Sequence, residues 1–197
     1  MQTEAIEAAA VQRPHFLLLD ATVDTRSIRA ELLANEPAWG LNTTRQRTLA
    51  CQRETESIFL RAGWRADDAV KLEDSQEVRD APASALFPAT MAWLRQAASV
   101  VGGELGRALL ARLRPQGQVY RHYDAGSYYA CRRRYHLVIA SPQGSPLVCG
   151  EQQVVMREGQ WWEFDNKRRH EAHNPGDAPR IHLIFDVRVA ADAQEQK

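Results

Sequence analysis

From Arg107 to its end, the sequence breaks into short β-branched or aromatic segments: "RALLARLRP", "QVYRHYD", "RRYHLVIAS", "PLVCGEQQVVMREG", "QWWEFDN" and "PRIHLIFDVRV". Pro115 and Gly117, Gly126, Pro142 and Gly144, Gly159, then Pro175 and Gly176 separate them. Regular short strands with turn residues between them imply a sandwich or a barrel. Only "RALLARL" has a pattern that could equally extend a helix. Upstream the texture differs. "DTRSIRAELLANEPAWG" reads as a short helix, with Asp24 or Thr25 as its cap, Ile28, Leu32 and Leu33 at helical spacing, and a stop before Pro37. A strand is expected around Ser57 to Arg61, and a polar loop from Asp74 to Ala83. "FPATMAWLRQAASVVGG" is the strongest helix, opened by Pro88 and closed by Gly102-Gly103. The expected architecture is mainly β with N-terminal helices: a helical or mixed support over residues 1–104, packed on a β core over residues 105–189.

The 197 residues suit a single domain spanning 1–197 with a sizeable core. The first dozen residues and "ADAQEQK" at the end read as frayed tails. Lysine plus arginine equals aspartate plus glutamate at 25 each, so no global field recruits nucleic acid or an anionic membrane. The runs Arg132-Arg133-Arg134 and Lys167-Arg168-Arg169 are too short for a nucleic-acid groove and lack interleaved aromatics. Cys51, Cys131 and Cys149 are odd in number and far apart, which fits neither a disulfide framework nor a zinc ribbon and suggests a reducing compartment. The N-terminus lacks a basic start followed by an apolar core, and no apolar run approaches a membrane span. The expected location is the cytoplasm, with no membrane and no nucleic-acid partner.

Five of the six histidines fall in the β-rich half. Within "YRHYDAG", His122 and Asp124 are two apart on a strand, so their side chains look the same way. Such a pair either meets water or shares a guest such as a metal ion. His170 closes "FDNKRRH", and ten residues further Arg180 opens the last strand. Two imidazoles and a carboxylate on one face of a metal leave three positions open, which suits ferrous iron in an oxygenase. A 2-oxo dicarboxylic acid bound there needs a fixed cation for its far carboxylate, and arginine offers a planar two-pronged donor.

"LRPQGQVYRHYDAGSYYACRRRYHLVIAS", followed by "GEQQVVMREGQWWEFDNKRRHEAHNPGDAPRIHLIFDV", resembles the aspartyl/asparaginyl β-hydroxylase family over roughly residues 105 to 189. The resemblance implies a double-stranded β-helix (a jelly-roll, cupin-like barrel) and an iron(II)- and 2-oxoglutarate-dependent dioxygenase that consumes dioxygen. Carried over residue by residue, it implies His122 and His170 as metal ligands. Asp124 matches a position where some members have glycine and hold iron with two histidines only; the carboxylate kept here implies the fuller triad. Arg180 matches the arginine for the distal carboxylate of the co-substrate, and Arg134 and His136 match residues that contact its metal-binding end. His182 shares strand parity with Arg180 and could line the pocket. Trp161 and Trp162 are expected to pack in the core, and Asn166 to shape a turn. The implied reaction is hydroxylation of an unactivated carbon, first of an aspartate or asparagine in a peptide or protein, alternatively of a free amino acid such as proline. The rival class is a metal- or ligand-binding barrel without turnover, which Arg180 and Asp124 together argue against. "RQRTLACQRETESIFLR", rich in Arg, Gln and Thr, could build the substrate mouth or be an ordinary sheet edge.

Overall fold

A computed structural model describes residues 14–64 and 74–189; both tails read from the sequence lie outside them. In chain order the strands are β1 (Phe16–Asp20), β2 (Thr55–Gly63), β3 (Val78–Asp80), β4 (Gly103–Leu113), β5 (Gln118–His122), β6 (Arg133–Ala140), β7 (Pro146–Cys149), β8 (Gln152–Val155), β9 (Trp161–Phe164), β10 (His170–His173) and β11 (Arg180–Val189). The α-helices are α1 (Arg26–Ala34), α2 (Thr44–Thr48), α3 (Pro88–Val100) and α4 (Ser127–Ala130). The strands form two sheets, one ordered β1-β9-β6-β11-β4-β2-β3 and the other β5-β10-β7-β8. Each recorded pairing is antiparallel. The four strands β9-β6-β11-β4 and the smaller sheet make the jelly roll.

Alternation along the central strands explains this layering. On β6, Tyr135, Leu137 and Ile139 belong to one buried cluster, and on β11 Leu183 and Phe185 join them. That cluster lies between the large sheet and the helices, taking in Ile28 and Leu32 of α1 and Met91, Leu94, Ala97 and Ala98 of α3. The intervening residues, Arg134 and His136 on β6 and Arg180, His182 and Ile184 on β11, line a cavity on the opposite face. A second apolar cluster, Val138, Leu147, Cys149, Met156, Phe164 and Ala172, joins the two sheets beside that cavity. Both faces of the large sheet are therefore covered, and "HLVIA" and "IHLIF" read as nearly continuous apolar runs. Each large side chain so buried contributes about 1.5–3 kcal/mol.

The helices begin for identifiable reasons. Asp24 Oδ1 accepts from the Arg26 backbone N–H at 3.0 Å, at the start of α1, where Thr25 is the capping position. Helix α3 has Pro88 in its first turn, and the otherwise unpaired first-turn donors of buried Thr90 go to Glu31 of α1: its carboxylate accepts from the Thr90 N–H at 2.9 Å and the Thr90 hydroxyl at 2.6 Å. That one side chain both caps α3 and ties it to α1. Gly102, with φ +71°, turns the chain out of the helix into β4.

"RALLARL", whose pattern could equally have extended a helix, is strand as read, and β4 begins at Gly103 and pairs with both β2 and β11. Two readings of local structure change. The stretch read as a loop from Asp74 to Ala83 contains β3, whose Asp80 pairs with Arg61 at the sheet edge. β1 was not foreseen. Leu17, Leu18 and Leu19 are all exposed, so no inside–outside alternation marks it; Phe16, stacked on Phe164 with ring centroids 6.3 Å apart, helps hold it against β9. The N-terminal region thus contributes three strands as well as helices.

Candidate metal and co-substrate site

β5 and β10 are neighbours, and their register puts His122 opposite His170. The two rings are 4.3 Å apart between centroids. Asp124 follows β5, where its backbone N–H donates to the Asn166 carbonyl at 3.0 Å. His122, Asp124 and His170 each offer one ligand atom, and these atoms lie within 4.8 Å of one another. The sequence reading named these three; the paired strands bring the two histidines together, while Asp124, expected on the same strand as His122, lies just past its end.

The surrounding bonds orient all three as ligands. His122 Nδ1 is 2.7 Å from the Tyr120 carbonyl and His170 Nδ1 is 2.8 Å from the Arg168 carbonyl. A carbonyl only accepts, so each Nδ1 carries the proton and each Nε2 keeps its lone pair, the arrangement of a metal-binding histidine fixed by its outer partner. Burial pushes His170 down to about 4, partly offset by the nearby Asp124 carboxylate, so the ring is neutral at neutral pH. Burial also pushes Asp124 upward, but Arg134, His170 and Asn166 outweigh it and hold the carboxyl below its usual range. Its Oδ2 accepts from Asn166 Nδ2 at 2.9 Å and from Arg134, leaving Oδ1 facing His122 Nε2 at 4.0 Å. One oxygen is occupied and the other is presented. That donor set, two neutral imidazoles and one oriented carboxylate, fits a divalent iron.

Arg134 itself is held from two sides. Its Nε and Nη2 donate to the two oxygens of Asp186 at 2.8 and 3.1 Å, while Nη1 donates to Asp124. It also lines the cavity, so any ligand it meets there shares the guanidinium with two carboxylates.

Arg180 is the opposite case. It is 6% exposed, and its Nε and Nη2 have no hydrogen-bond partner. Burial pushes its guanidinium down to about 10. Beside it lie His136 and His182, whose Nδ1 atoms are 3.1 Å apart. Burial, with Arg180 the next cause, pushes both rings well below the usual histidine range, so both are neutral. A hydrogen bond between two neutral rings needs one Nδ1–H and one bare Nδ1. The two Nε2 atoms, both buried without partners, are therefore one donor and one acceptor. An unpaired guanidinium and an adjacent free N–H, enclosed in one cavity with the metal cluster, fit a carboxylate guest.

Several contacting residues escaped the sequence reading. Asn166, expected to shape a turn, is 1% exposed and bonded to Asp124. Asp186 in "LIFDVRV" holds Arg134, and a lone acid inside an apolar strand was the available signal for it. Gln52 and Arg45 fall in the stretch read as a possible substrate mouth, though neither was singled out: Gln52 places Nε2 at 3.3 Å from His122 Nε2, and Arg45 lines the cavity. Trp161 and Trp162 pack in the two cores as expected. His173 is exposed on β10, away from the metal cluster.

Comparison with known proteins gives a consistent picture. The family model for aspartyl/asparaginyl β-hydroxylase matches residues 23–189. No curated protein sequence matches the chain. Among solved structures, a 2OG-Fe(II) oxygenase family oxidoreductase from Burkholderia pseudomallei superposes with a TM-score of 0.57 at 13% identity, over 88% of this chain and 84% of that one. A prolyl-4-hydroxylase from Pseudomonas putida superposes with a TM-score of 0.50 at 17% identity, over 89% of this chain and 92% of that one. At such identities the likeness establishes the fold. Among the described residues, no helix is long and apolar enough to cross a membrane.

Proposed function

We propose that this chain, which belongs to the aspartyl/asparaginyl β-hydroxylase family and is a 2-oxoglutarate-dependent dioxygenase, holds iron(II) through His122, Asp124 and His170 and 2-oxoglutarate through Arg180. The observation that carries the residue assignments is the pairing of two features in one cavity: a preoriented metal cluster, and a buried arginine with two unused donors. A barrel that merely stored a metal would have no use for the second. The substrate is an amino-acid side chain, most directly an aspartate or asparagine of a peptide or protein.

Iron(II), 2-oxoglutarate and dioxygen together supply the oxidising power to replace a C–H bond by C–OH, releasing succinate and carbon dioxide. The residues of the chain bind and orient. His122 and His170 present their Nε2 lone pairs, and Asp124 presents one oxygen while Arg134 and Asn166 hold the other. Arg180 takes the distal carboxylate, with the free N–H of the His136–His182 pair beside it. Arg134 and His136 flank the metal-binding end. The apolar walls from Leu113, Val119, Leu147 and Phe164 limit water around these charges.

The test is direct. Under anaerobic conditions, iron(II) and 2-oxoglutarate added together should give a weak visible charge-transfer band that neither gives alone. Aerobic incubation with aspartate- and asparagine-containing peptides should couple succinate release to a gain of one oxygen atom in the peptide. A protein that binds iron but shows no band and forms no succinate is not this enzyme.

A further inference from the structure

The stretch "RQRTLACQRETESIFLR" was open between a substrate mouth and a sheet edge, and the structure divides it. Its second part is β2, while its first part is α2 with the 3-10 turn Ala50–Gln52. Arg45 of α2 and Gln52 of that turn reach the cavity that holds the metal cluster and Arg180. We propose that Arg45 is the anchor for a carboxylate on the substrate, so that the substrate is an acid: an aspartate side chain or the α-carboxylate of a free amino acid. This rests on the dioxygenase reading and adds the substrate's charge to it.

Three observations carry the assignment. First, the Arg45 guanidinium makes one hydrogen bond, Nη1 to the Ser57 hydroxyl at 3.2 Å, and no carboxylate of the described residues pairs with it. The side chain lines the cavity. Second, its surroundings disfavour a bare cation. Burial, and then the like charge of Arg134, push it down to about 10, and Asp124, already held by Arg134, offsets this only in part. Third, the charges of the loaded cavity leave Arg45 over. Iron(II) and dianionic 2-oxoglutarate cancel; Arg134 and Asp186 cancel; Asp124 and Arg180 offset each other. Among the described residues that line the cavity, Arg45 is the cation left without a counterpart, and a carboxylate on the substrate pairs with it.

The position also suits the role. Arg45 lies near Asp124 and Arg134, and its anchor Ser57 sits on β2, opposite Ala111 of β4, which in turn faces His182 of β11. Arg180 opens β11 and is lined up with Leu113 and Thr55, one row away. Two arginines thus approach one cavity from different elements, which allows a dicarboxylic co-substrate and an acidic substrate to be held apart.

The experiment uses the full chain loaded with manganese(II) and 2-oxoglutarate, so that binding is read without turnover. Calorimetry follows two panels: blocked peptides containing one aspartate against the same peptides with asparagine, and free L-amino acids against their carboxamides. The wild-type protein should bind one panel's acids at least about 30-fold tighter than their amides. Arg45→Met should lose that preference while binding 2-oxoglutarate as the wild type does, and Arg45→Lys should recover part of it. The panel that responds identifies the source of the carboxylate. Equal binding of acid and amide by the wild type overturns the assignment, as does an Arg45→Met variant that keeps the preference or loses 2-oxoglutarate instead. Failure of the wild type to bind 2-oxoglutarate at all is a different result: it refutes the dioxygenase reading itself, and the Arg45 assignment falls with it.

Discussion

Arg180→Met should make the ligand-free protein more stable and the co-substrate weaker, two effects of opposite sign. Methionine keeps the bulk of the side chain but removes the charge. In the structure the guanidinium is 6% exposed, two of its nitrogens lack partners, and burial alone lowers it to about 10. A cation so displaced from its ordinary value costs the folded state roughly 3 kcal/mol. Removing it should recover part of this, so the urea midpoint of the free protein should rise. Once a carboxylate is paired with the arginine, the same charge becomes an asset. Truncating one partner of a buried charge pair costs about 2–5 kcal/mol, a factor of about 30 to several thousand in affinity. At a ligand concentration of 100 times the wild-type dissociation constant, binding adds about 2.7 kcal/mol to the wild type and little to the variant. Urea titrations with and without 2-oxoglutarate, in the presence of manganese(II), should therefore show the order of stability reversing. A free variant that is clearly less stable than the wild type would mean that Arg180 has a structural partner. A variant still stabilised by 2-oxoglutarate would mean that the clamp lies elsewhere.

Three further outcomes follow from the same geometry. His122→Ala and His170→Ala should lose metal binding by calorimetry while keeping the far-ultraviolet circular dichroism of the wild type, because the cores rather than the ion hold the sheets together; Asp124→Gly should weaken the metal without abolishing it. Asn166→Ala deletes the 2.9 Å bond to Asp124 Oδ2 and should lower metal affinity about 10-fold, with Arg134 still holding the carboxylate. Acid should destabilise the metal-free fold early. His136 and His182 have folded values well below the usual one, so the unfolded chain binds protons near pH 6.5 while the folded one does not, and stability falls as pH drops from there. The slope should approach about 1.4 kcal/mol per pH unit for each ring. His182→Leu should flatten it in urea titrations between pH 7 and pH 5, and an unchanged slope would show that these rings do not remain neutral.

Much of this site was legible because β-strands have a period of two. Once the last strand is read as running through "RIHLIFDV", Arg180 and His182 must share a face and Leu183 and Phe185 must take the other; the same holds for Arg134 and His136 against Tyr135 and Leu137. The metal cluster was legible through the resemblance carried by His122, Asp124 and His170 rather than through the strand period, because β5 ends at His122 with Asp124 beyond it, and the pairing of His170 with His122 appears only in the assembled sheet. Local pattern was silent where a contact depends on distant register. Asn166 meets Asp124 across 42 residues and Asp186 meets Arg134 across 52, and neither spacing leaves a trace in sequence. Arg45 was obscured for another reason: α2 has five residues and no buried one, so no periodicity separates its inward side chain from its neighbours Gln46 and Arg47.

Arg134, Arg180 and Arg45 make the same point through chemistry. They are one residue type in one cavity, and composition cannot tell them apart. Arg134 has two carboxylates and is raised well above its ordinary value, burial notwithstanding, by Asp124 and Asp186. Its charge is balanced within the fold, so its first task is to hold Asp124. Arg180 and Arg45 are lowered instead: burial lowers both, Arg134 adds to it at Arg45, and only Arg45 has a carboxylate, Asp124, that offsets it in part. A folded chain that keeps two poorly compensated cations in a partly apolar cavity accepts a standing cost in stability, and binding anions there recovers it. The difference between a structural arginine and a binding one thus lies in the partners that register supplies, and those partners become visible only when the strands are assembled.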